Sequence, residues 1–410
     1  MKIAIISSGF FPVIDGVTVT LFHRLRYLSQ YGHQVLLFCP DYSSLGSIYP
    51  DWQKYTGEIF PNVRIINLPS TPFMGLEFEQ NVSQKSYSVV LQELQLFQPD
   101  IIHVDEPERL WLGFLKRAGL DFSRQAKIPC VSFFHTNFIE YLEDYLPLPQ
   151  WGLKILQFLA KYHRNWIYNG YDLTLISSKT TAHKVTSLGF KNVVIADLLG
   201  VDIEPYKNLV KESNYFATKY NIKDINQKLK LVFLGRLTPD KGWHFTLDAL
   251  TRFSSQINFD NLAFIIAGEG TMKAEIQQKI RNLTSHIYLL DRILPEHIPP
   301  LLINSDIYVT TSEKETKGLT ILEALAAGLP ILAPHAGGII DTIQNNYNGL
   351  LFTPKNAVEF IQKLNLLLEN MALRQKISAN AKVSIHRGWE ESVNNLINIW
   401  QETRRSVDVE

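Results

Sequence analysis

Apolar positions along this chain follow two patterns in turn. Residues 2–7 (Lys-Ile-Ala-Ile-Ile-Ser) form an almost unbroken apolar run, the mark of a strand covered on both faces within a parallel sheet. After a turn rich in Gly and Pro at residues 9–16, Leu21, Leu25 and Leu28 recur at helical spacing, which predicts a helix from about Thr18 to Gly32. A second apolar run at 34–38 follows. Strand, glycine loop, helix, strand is the opening of a doubly wound parallel sheet. The same alternation predicts strands at 63–68, 101–104, 131–134, 173–177 and 193–197, with a helix at 86–97. Residues 203–228 are polar and charged. The pattern then restarts, with strands at 230–234, 262–267, 287–290 and 307–310 and helical sequence from residue 357. The fold class this predicts is α/β, in two successive blocks. At 410 residues the chain is long enough for each block to have its own core.

One helix stands apart. Between residues 149 and 170, Trp151, Ile155, Phe158, Leu159, Tyr162 and Trp166 make an apolar stripe at helical spacing. Lys154, Lys161, His163 and Arg164 lie off that stripe, and the stretch contains no acidic residue. A basic amphipathic helix with aromatic ends suits an anionic membrane surface. A helix docked on the sheet, with its basic face in water, has the same pattern.

Composition narrows the field. Forty Lys and Arg balance forty Asp and Glu, which argues against a general nucleic-acid binder. The two cysteines, Cys39 and Cys130, fall in predicted strands outside any Cys-x-x-Cys. No metal or disulfide framework is expected from them, and a reducing cytoplasm is the simplest setting. The first residues lack the long apolar core and cleavage site of a signal peptide. No apolar run is long enough to span a bilayer, so any membrane role is expected to be peripheral.

The richest chemistry lies where the strand at 307–310 runs into residues 313–323, Glu-Lys-Glu-Thr-Lys-Gly-Leu-Thr-Ile-Leu-Glu. Leu319, Leu322, Ala326 and Leu329 then repeat at helical spacing until Gly328 and Pro330 stop the helix. Gly318 therefore sits at the hand-over from strand to helix, where an anion can approach the backbone. The N–H groups of Leu319 and Thr320 and the helix dipole would hold a phosphate there. Glu315 and Glu323 bracket the site; carboxylates so near a diphosphate should face hydroxyls rather than phosphate oxygens. A second strand-to-helix turn, Gly235-Arg236-Leu-Thr-Pro-Asp-Lys241-Gly242, supplies two cations. A leaving diphosphate needs such partners as charge grows on it. Strand ends at 101–104 and 131–134 carry His103, Asp105, Glu106 and His135. In open α/β sheets ligands lie at the carboxyl ends of strands. His103 reads as an internally satisfied histidine and His135 as a functional one.

The Glu-x7-Glu spacing with its internal Gly318-Leu319, together with Ala336-Gly-Gly338 and Asn348-Gly-Leu-Leu-Phe352, resembles the donor site of retaining family-4 glycosyltransferases with the GT-B fold. The resemblance covers nearly the whole chain. It implies two Rossmann-like domains facing a cleft: an acceptor domain at 1–202, a nucleotide-sugar domain at 203–385, and a last helix, 386–410, crossing back to the first. By the same resemblance Glu315 touches the donor sugar and Glu323 the ribose, while Gly318, Leu319 and Thr320 lie against the diphosphate. Gly16 and Gly235 allow backbone approach to the donor. Arg236 and Lys241 hold the leaving group, and Gly268-Glu269-Gly270 lies near the nucleotide. His135 serves the donor sugar and the acceptor. Glu106 contacts the acceptor or orients His135, and Asn137 and Tyr141 lie in a segment that lines or covers the acceptor site. The co-substrate implied is a UDP- or GDP-sugar. There is no Asp-x-Asp anywhere in the chain, and no metal is expected to be required.

Glu315-Thr316-x-Gly318, Asp15-Gly-Val-Thr18 and His135-Thr136 look like the glycolipid branch, whose members transfer sulfoquinovosyl, galactosyl, glucosyl and mannosyl groups to diacylglycerol-type acceptors. The expected setting is the cytoplasm, with any membrane contact peripheral, on the inner face. Two departures stand out. Asp15 occupies a position where many members carry glycine, and so does the Asp291-Arg292 pair. Transfer to a soluble saccharide, and a catalytically silent nucleotide-sugar binding protein, are the competing accounts.

Overall fold

Strand pairing sorts the chain into two parallel sheets and a small hairpin. The structure is a computed structural model, and it describes residues 1–73, 76–136, 139, 149–223, 225–385 and 387–407. The strands, in chain order, are β1 (Lys2–Ser7), β2 (Gln34–Pro40), β3 (Gly57–Phe60), β4 (Val63–Leu68), β5 (Ser70–Phe73), β6 (Leu76–Val82), β7 (Ile101–Asp105), β8 (Cys130–Phe133), β9 (Leu173–Ile176) and β10 (Val193–Ile195). Then follow β11 (Leu229–Leu234), β12 (Leu262–Ala267), β13 (Ile287–Leu289), β14 (Ile307–Val309), β15 (Ile331–Pro334) and β16 (Gly349–Phe352). The chain divides into two units, one built from Met1–Ile139, Leu148–Gly200 and Trp389–Glu410, the other from Val201–Gly388.

The first unit holds the sheet β10-β9-β8-β7-β1-β2-β4-β3, parallel except for the edge strand β3. The second holds β13-β12-β11-β14-β15-β16, with parallel pairing throughout. Each sheet starts in its middle and is built outward in one direction, then the other. The order therefore reverses between β1 and β7 in the first and between β11 and β14 in the second. At such a reversal the connecting chains leave on opposite faces and open a crevice beyond the strand ends, which is where ligands bind in this class of sheet.

The strands read as continuous apolar runs because both faces are covered. In β11, Leu231 and Phe233 enter one core and Val232 the other; in β12, Phe264 and Ile266 alternate with Ala263 and Ile265 in the same way. Each of these Leu, Val, Ile and Phe side chains contributes about 1.5–3 kcal/mol on full burial. The hairpin β5–β6 has no counterpart in the sequence pattern, because Pro72, Gln80 and Asn81 break any apolar alternation. The helix expected from Thr18 begins at Gly16, since the Asp15 carboxylate caps the N–H groups of Val17 and Thr18 at 2.9 Å each. In the same unit the last helix, Trp389–Val407, packs on that first helix, with Trp389 stacked on His23 at 4.7 Å and Trp400 fully buried.

The helix Gln150–Tyr168 decides between the two readings of its stripe. All six stripe residues are 51–70% exposed, so the stripe is not core. Arg164, Ile167 and Tyr168 are the buried positions instead, Tyr168 against Phe134 and Phe190. The basic face is accordingly not all in water: Arg164 is buried, and His163 packs on Trp111 with ring centroids 4.0 Å apart. No described helix is long and apolar enough to cross a membrane.

Candidate functional site

In the second unit the expected site residues converge on the reversal between β11 and β14. Leaving β11, the chain passes Gly235 and Arg236, makes a short turn at Pro239–Lys241, and enters the helix Trp243–Arg252 through Gly242. Leaving β14, it runs through Thr311 and Ser312 to Glu315. Gly242 has φ +76, and a Cβ there would come within 2.3 Å of the Thr311 carbonyl oxygen. That close approach of the two loops lets Lys241 Nζ reach Glu315 Oε1 at 2.5 Å. Both side chains are about one-fifth exposed. Burial alone would raise the Glu315 pKa, but the charge and hydrogen bond of Lys241, with a further bond to Ser312, outweigh it and hold the carboxyl below its usual range. Arg236 donates to the buried Asp240 at 3.2 Å. Lys241 and Arg236 are thus positioned by acids.

The loop continues into the helix Leu319–Ala326, with Gly318 at its N-cap and φ +80. Among the described residues the N–H groups of Leu319 and Thr320 have no hydrogen-bond partner, as a helix start requires unless something caps it. The Thr320 hydroxyl accepts from Tyr308 on β14 at 2.7 Å, which orients it. Thr316 lies in the loop between Glu315 and this helix. Glu323, one turn in, is half-buried and has no cation beside it among the described residues; burial pushes its carboxyl up to about 8. At neutral pH it is protonated, able both to donate and to accept a hydrogen bond.

Two glycine turns floor the site. A Cβ on Gly268 would stand 1.9 Å from the Gly235 carbonyl oxygen, and one on Gly270 would stand 2.3 Å from that of Leu237. Leu237 N–H donates to the Glu269 carbonyl at 2.8 Å, so the turn after β12 is laced to the turn after β11. The Glu269 side chain points elsewhere, pairing with Lys273 at 2.9 Å. Lys273 also pairs with Asp291, which holds φ +38. On the other side Gly338 N–H donates to the Glu315 carbonyl at 2.8 Å, and Gly337, φ +54, lies too close to that carbonyl for a side chain.

In the first unit a polar cluster occupies the reversal between β1 and β7. Asp105, fully buried, takes Arg24 at 2.9 Å, His103 at 3.2 Å and His135 at 2.8 Å. Burial would raise its pKa, yet Arg24 and the two histidines hold it well below the carboxylate range. His103 is lowered to about 4, chiefly by burial and then by Arg24, so it is neutral. The indole N–H of Trp400 donates to His103 Nδ1 at 3.2 Å, which leaves the ring proton on Nε2, toward Asp105. His103 is the satisfied histidine expected. Glu106 is nearly fully buried at φ +54; it accepts from Ser8 and, at 2.6 Å, from Thr136. The carboxylate within hydrogen-bond distance of His135 is that of Asp105, at 2.8 Å, while Glu106 holds the neighbouring Thr136. Gly16 has no positive φ, and a Cβ there would meet nothing within 4 Å. Asn137 and Tyr141 lie outside the described residues.

The pattern-based reading missed Asp240, Ser312, Ser8 and Arg24. Ser8 carried a signal, a polar residue at the carboxyl end of an apolar strand. Arg24 carried none, since its buried position on the first helix looks like any charge between leucines.

The sequence model of the family "Glycosyltransferase Family 4" matches residues 14–203, and that of "Glycosyl transferases group 1" matches residues 217–384. The chain is 24% identical over 361 residues to the alpha-monoglucosyldiacylglycerol synthase of Streptococcus pneumoniae, covering 86% of this chain and 75% of that one. It is 25% identical over 352 residues to a GDP-mannose-dependent alpha-mannosyltransferase of Mycolicibacterium smegmatis, covering 86% and 84%. Among solved structures, HepE of Anabaena in complex with UDP and glucose superposes with a TM-score of 0.70 at 18% identity, over 98% of this chain and 99% of that one. That likeness is one of fold.

Proposed function

We propose a specific reaction from the premise that this chain belongs to the glycosyltransferases, a family 4 domain followed by a group 1 domain in the GT-B fold. It moves a hexose from a nucleoside-diphosphate sugar to an acceptor hydroxyl with retention of anomeric configuration, and the acceptor is a diacylglycerol-type glycolipid. The observation that carries the reading is the Lys241–Glu315 pair, held beside the open N-terminus of Leu319–Ala326 at the reversal of the second sheet.

As the glycosidic bond lengthens, negative charge grows on the diphosphate. Arg236, Lys241 and the uncapped N–H groups of Leu319 and Thr320 are already in place to receive it. Preorganised donors of this kind are worth about 10²–10³ in rate each. In this reading Glu315 meets a sugar hydroxyl, and the protonated Glu323 a ribose hydroxyl. Departure and attack on the same face let the leaving phosphate take the acceptor proton, which gives retention. These residues carry the leaving charge without a metal ion. The lipid acceptor is favoured by Glu315-Thr316-x-Gly318 and by the relative named as a diacylglycerol glucosyl synthase. One relative is named as GDP-mannose-dependent and the structural neighbour holds UDP, so both bases belong in the test.

The test supplies UDP-glucose, UDP-galactose, UDP-sulfoquinovose and GDP-mannose in turn with detergent-dispersed diacylglycerol, with and without EDTA, and reads the product anomer by NMR. An α-linked glycolipid formed equally with EDTA supports the reading. Transfer only to soluble saccharides removes the lipid acceptor, an inverted anomer removes retention, and EDTA sensitivity removes metal independence. Donor that binds by calorimetry but is never consumed leaves the silent binding protein.

A further inference from the structure

We propose that the hairpin β5–β6 walls the candidate acceptor crevice of the first unit, and that its Glu79, paired with Arg109, makes that crevice select an acceptor with an uncharged polyol head over one bearing phosphate. Taking the first unit as the acceptor side rests on the reading above; the selection applies to a lipid and to a saccharide alike.

The hairpin is tied down at both ends. It leaves the carboxyl end of β4, where the Ser70 hydroxyl accepts from the Asp41 N–H at 2.9 Å. It returns onto the helix Pro107–Phe114, which follows β7. There the Asn81 amide donates to the Arg109 carbonyl at 3.0 Å, and the Arg109 guanidinium donates to the Gln80 carbonyl at 2.9 Å. Gly113 lies so near that a Cβ on it would stand 2.2 Å from the Val82 carbonyl oxygen. The sheet order is β7-β1-β2-β4, so a segment joining β4 to the helix after β7 passes the ends of β2 and β1. It borders the reversal where Ser8, Glu106 and Thr136 meet. An apolar hairpin would serve for packing alone. This one buries Glu79, Gln80 and Asn81.

Charge decides what such a wall admits. Glu79 meets Arg109 at 3.0 Å, with both side chains more than nine-tenths buried. The guanidinium also lies over the Phe73 ring at 4.4 Å. Burial would lower the Arg109 pKa, but the charges of Glu79, then Glu106, and more weakly Asp15 outweigh it. The other guanidinium here, that of Arg24, is held by Asp105 at 2.9 Å. The carboxylates of Asp15, Glu79, Asp105 and Glu106 thus outnumber the guanidinium groups four to two. A phosphate entering this cluster meets an excess of like charge, the device by which binding sites reject a wrong partner. A hydroxyl is different, because it can donate to an oxygen and accept from an N–H at once. The cluster offers both. Arg109 Nε and Arg24 Nη2 are buried with no hydrogen-bond partner among the described residues, and Glu106 already accepts from two neutral hydroxyls, those of Ser8 and Thr136. Glu79 is the gatekeeper. Without it Arg109 loses its direct counter-ion, and a guanidinium fork that suits phosphate is set free.

The test measures transfer to two pairs of acceptors, each with a neutral and a phosphorylated member: octyl glucoside and its phosphate monoester, and dispersed diacylglycerol and phosphatidylglycerol. For the parent chain, kcat/KM should favour the neutral member about 100-fold or more. Glu79→Gln should narrow that ratio about tenfold by admitting the phosphorylated member, the gain of one charge-assisted bond. Glu79→Gln/Arg109→Gln should restore the ratio, because the freed cation is gone. Donor binding and circular dichroism should be unchanged in both variants. A parent that prefers the phosphorylated member overturns the inference whether or not the variants fold. So does a folded Glu79→Gln with the parent's ratio. If no acceptor is glycosylated, the proposed transfer reaction fails, and calorimetry with glycerol phosphate still decides the selection. In a Lys241→Ala background, which disables the phosphate slot of the second unit, adding Glu79→Gln should tighten binding of glycerol phosphate about tenfold, and adding Arg109→Gln should remove that gain. Equal affinities across these variants overturn the inference.

Discussion

Lys241 and Glu315 lie 74 residues apart in sequence and 2.5 Å apart in space, joining the turn after β11 to the turn after β14. The pair spans the point where the sheet order reverses, so it exists only if the sheet closes in this order. Each charge is mostly withdrawn from water and each lowers the cost of keeping the other there. Lys241→Ala is expected to lower the transfer rate about 10²–10³-fold at saturating donor. Glu315→Gln should do likewise. The double variant should fall far short of the product of the two, because the groups act as a unit. Additive losses in a steady-state kinetic cycle would show two independent roles instead.

Glu323 makes a prediction about pH. Its pKa is raised to about 8 from the ordinary 4.5 by burial. Between those values the folded chain keeps a proton that the unfolded chain has shed. The contribution of this group to stability therefore falls as pH rises through that window, and stays at its lower value above pH 8. Glu323→Gln removes the effect. Melting temperatures of variant and parent should agree below about pH 4.5, and the variant should gain progressively up to pH 8. A constant difference across thermal melts from pH 5 to pH 9 would mean that the carboxyl ionises normally.

Two glycines should behave oppositely. Gly268→Ala drives a methyl group into the Gly235 carbonyl at 1.9 Å, at φ +148. The fold itself must suffer, with a loss of several kcal/mol, enough to register in a denaturant melt. Gly16→Ala meets open space within a helix that prefers alanine by up to about 1 kcal/mol. The protein should be as stable or more so, yet transfer should drop if a donor phosphate approaches this backbone. Asp15 already occupies the N–H groups of Val17 and Thr18, which leaves Gly16 N–H as the available donor of that turn. Unchanged kinetics in Gly16→Ala would remove this glycine from donor binding.

The buried cluster around Asp105 tests positioning against structure. Asp105→Asn leaves the Arg24 charge buried without its counter-ion, and should cost about 3–5 kcal/mol in urea unfolding. Trp400→Phe keeps the aromatic packing and removes only the bond to His103, a loss of about 1 kcal/mol. If Asp105 orients His135, Trp400→Phe should also alter the pH profile of transfer while donor binding is unchanged. A profile identical to the parent would confine that tryptophan to holding the last helix.

Much of this protein was legible from the chain alone. Continuous apolar runs such as residues 2–7 and 262–267 announce strands buried on both faces, because burial is a property of every position in them. The loop-to-helix transition at Gly318 was equally plain, since a glycine before a periodic apolar stretch is a local signal. Arg236, Lys241, Glu315 and Glu323 were singled out from spacing, and the structure brings Lys241 to Glu315. What spacing could not say was which charge answers which. That Asp240 takes Arg236, that Asp105 rather than Glu106 holds His135, and that Arg24 is the buried counter-charge all follow from strand order, which juxtaposes residues tens of positions apart. The stripe from Trp151 to Trp166 shows the same limit. Periodicity establishes that a helix has an apolar side, but only the packing of Arg164, Ile167 and Tyr168 against the sheet decides that this side faces outward.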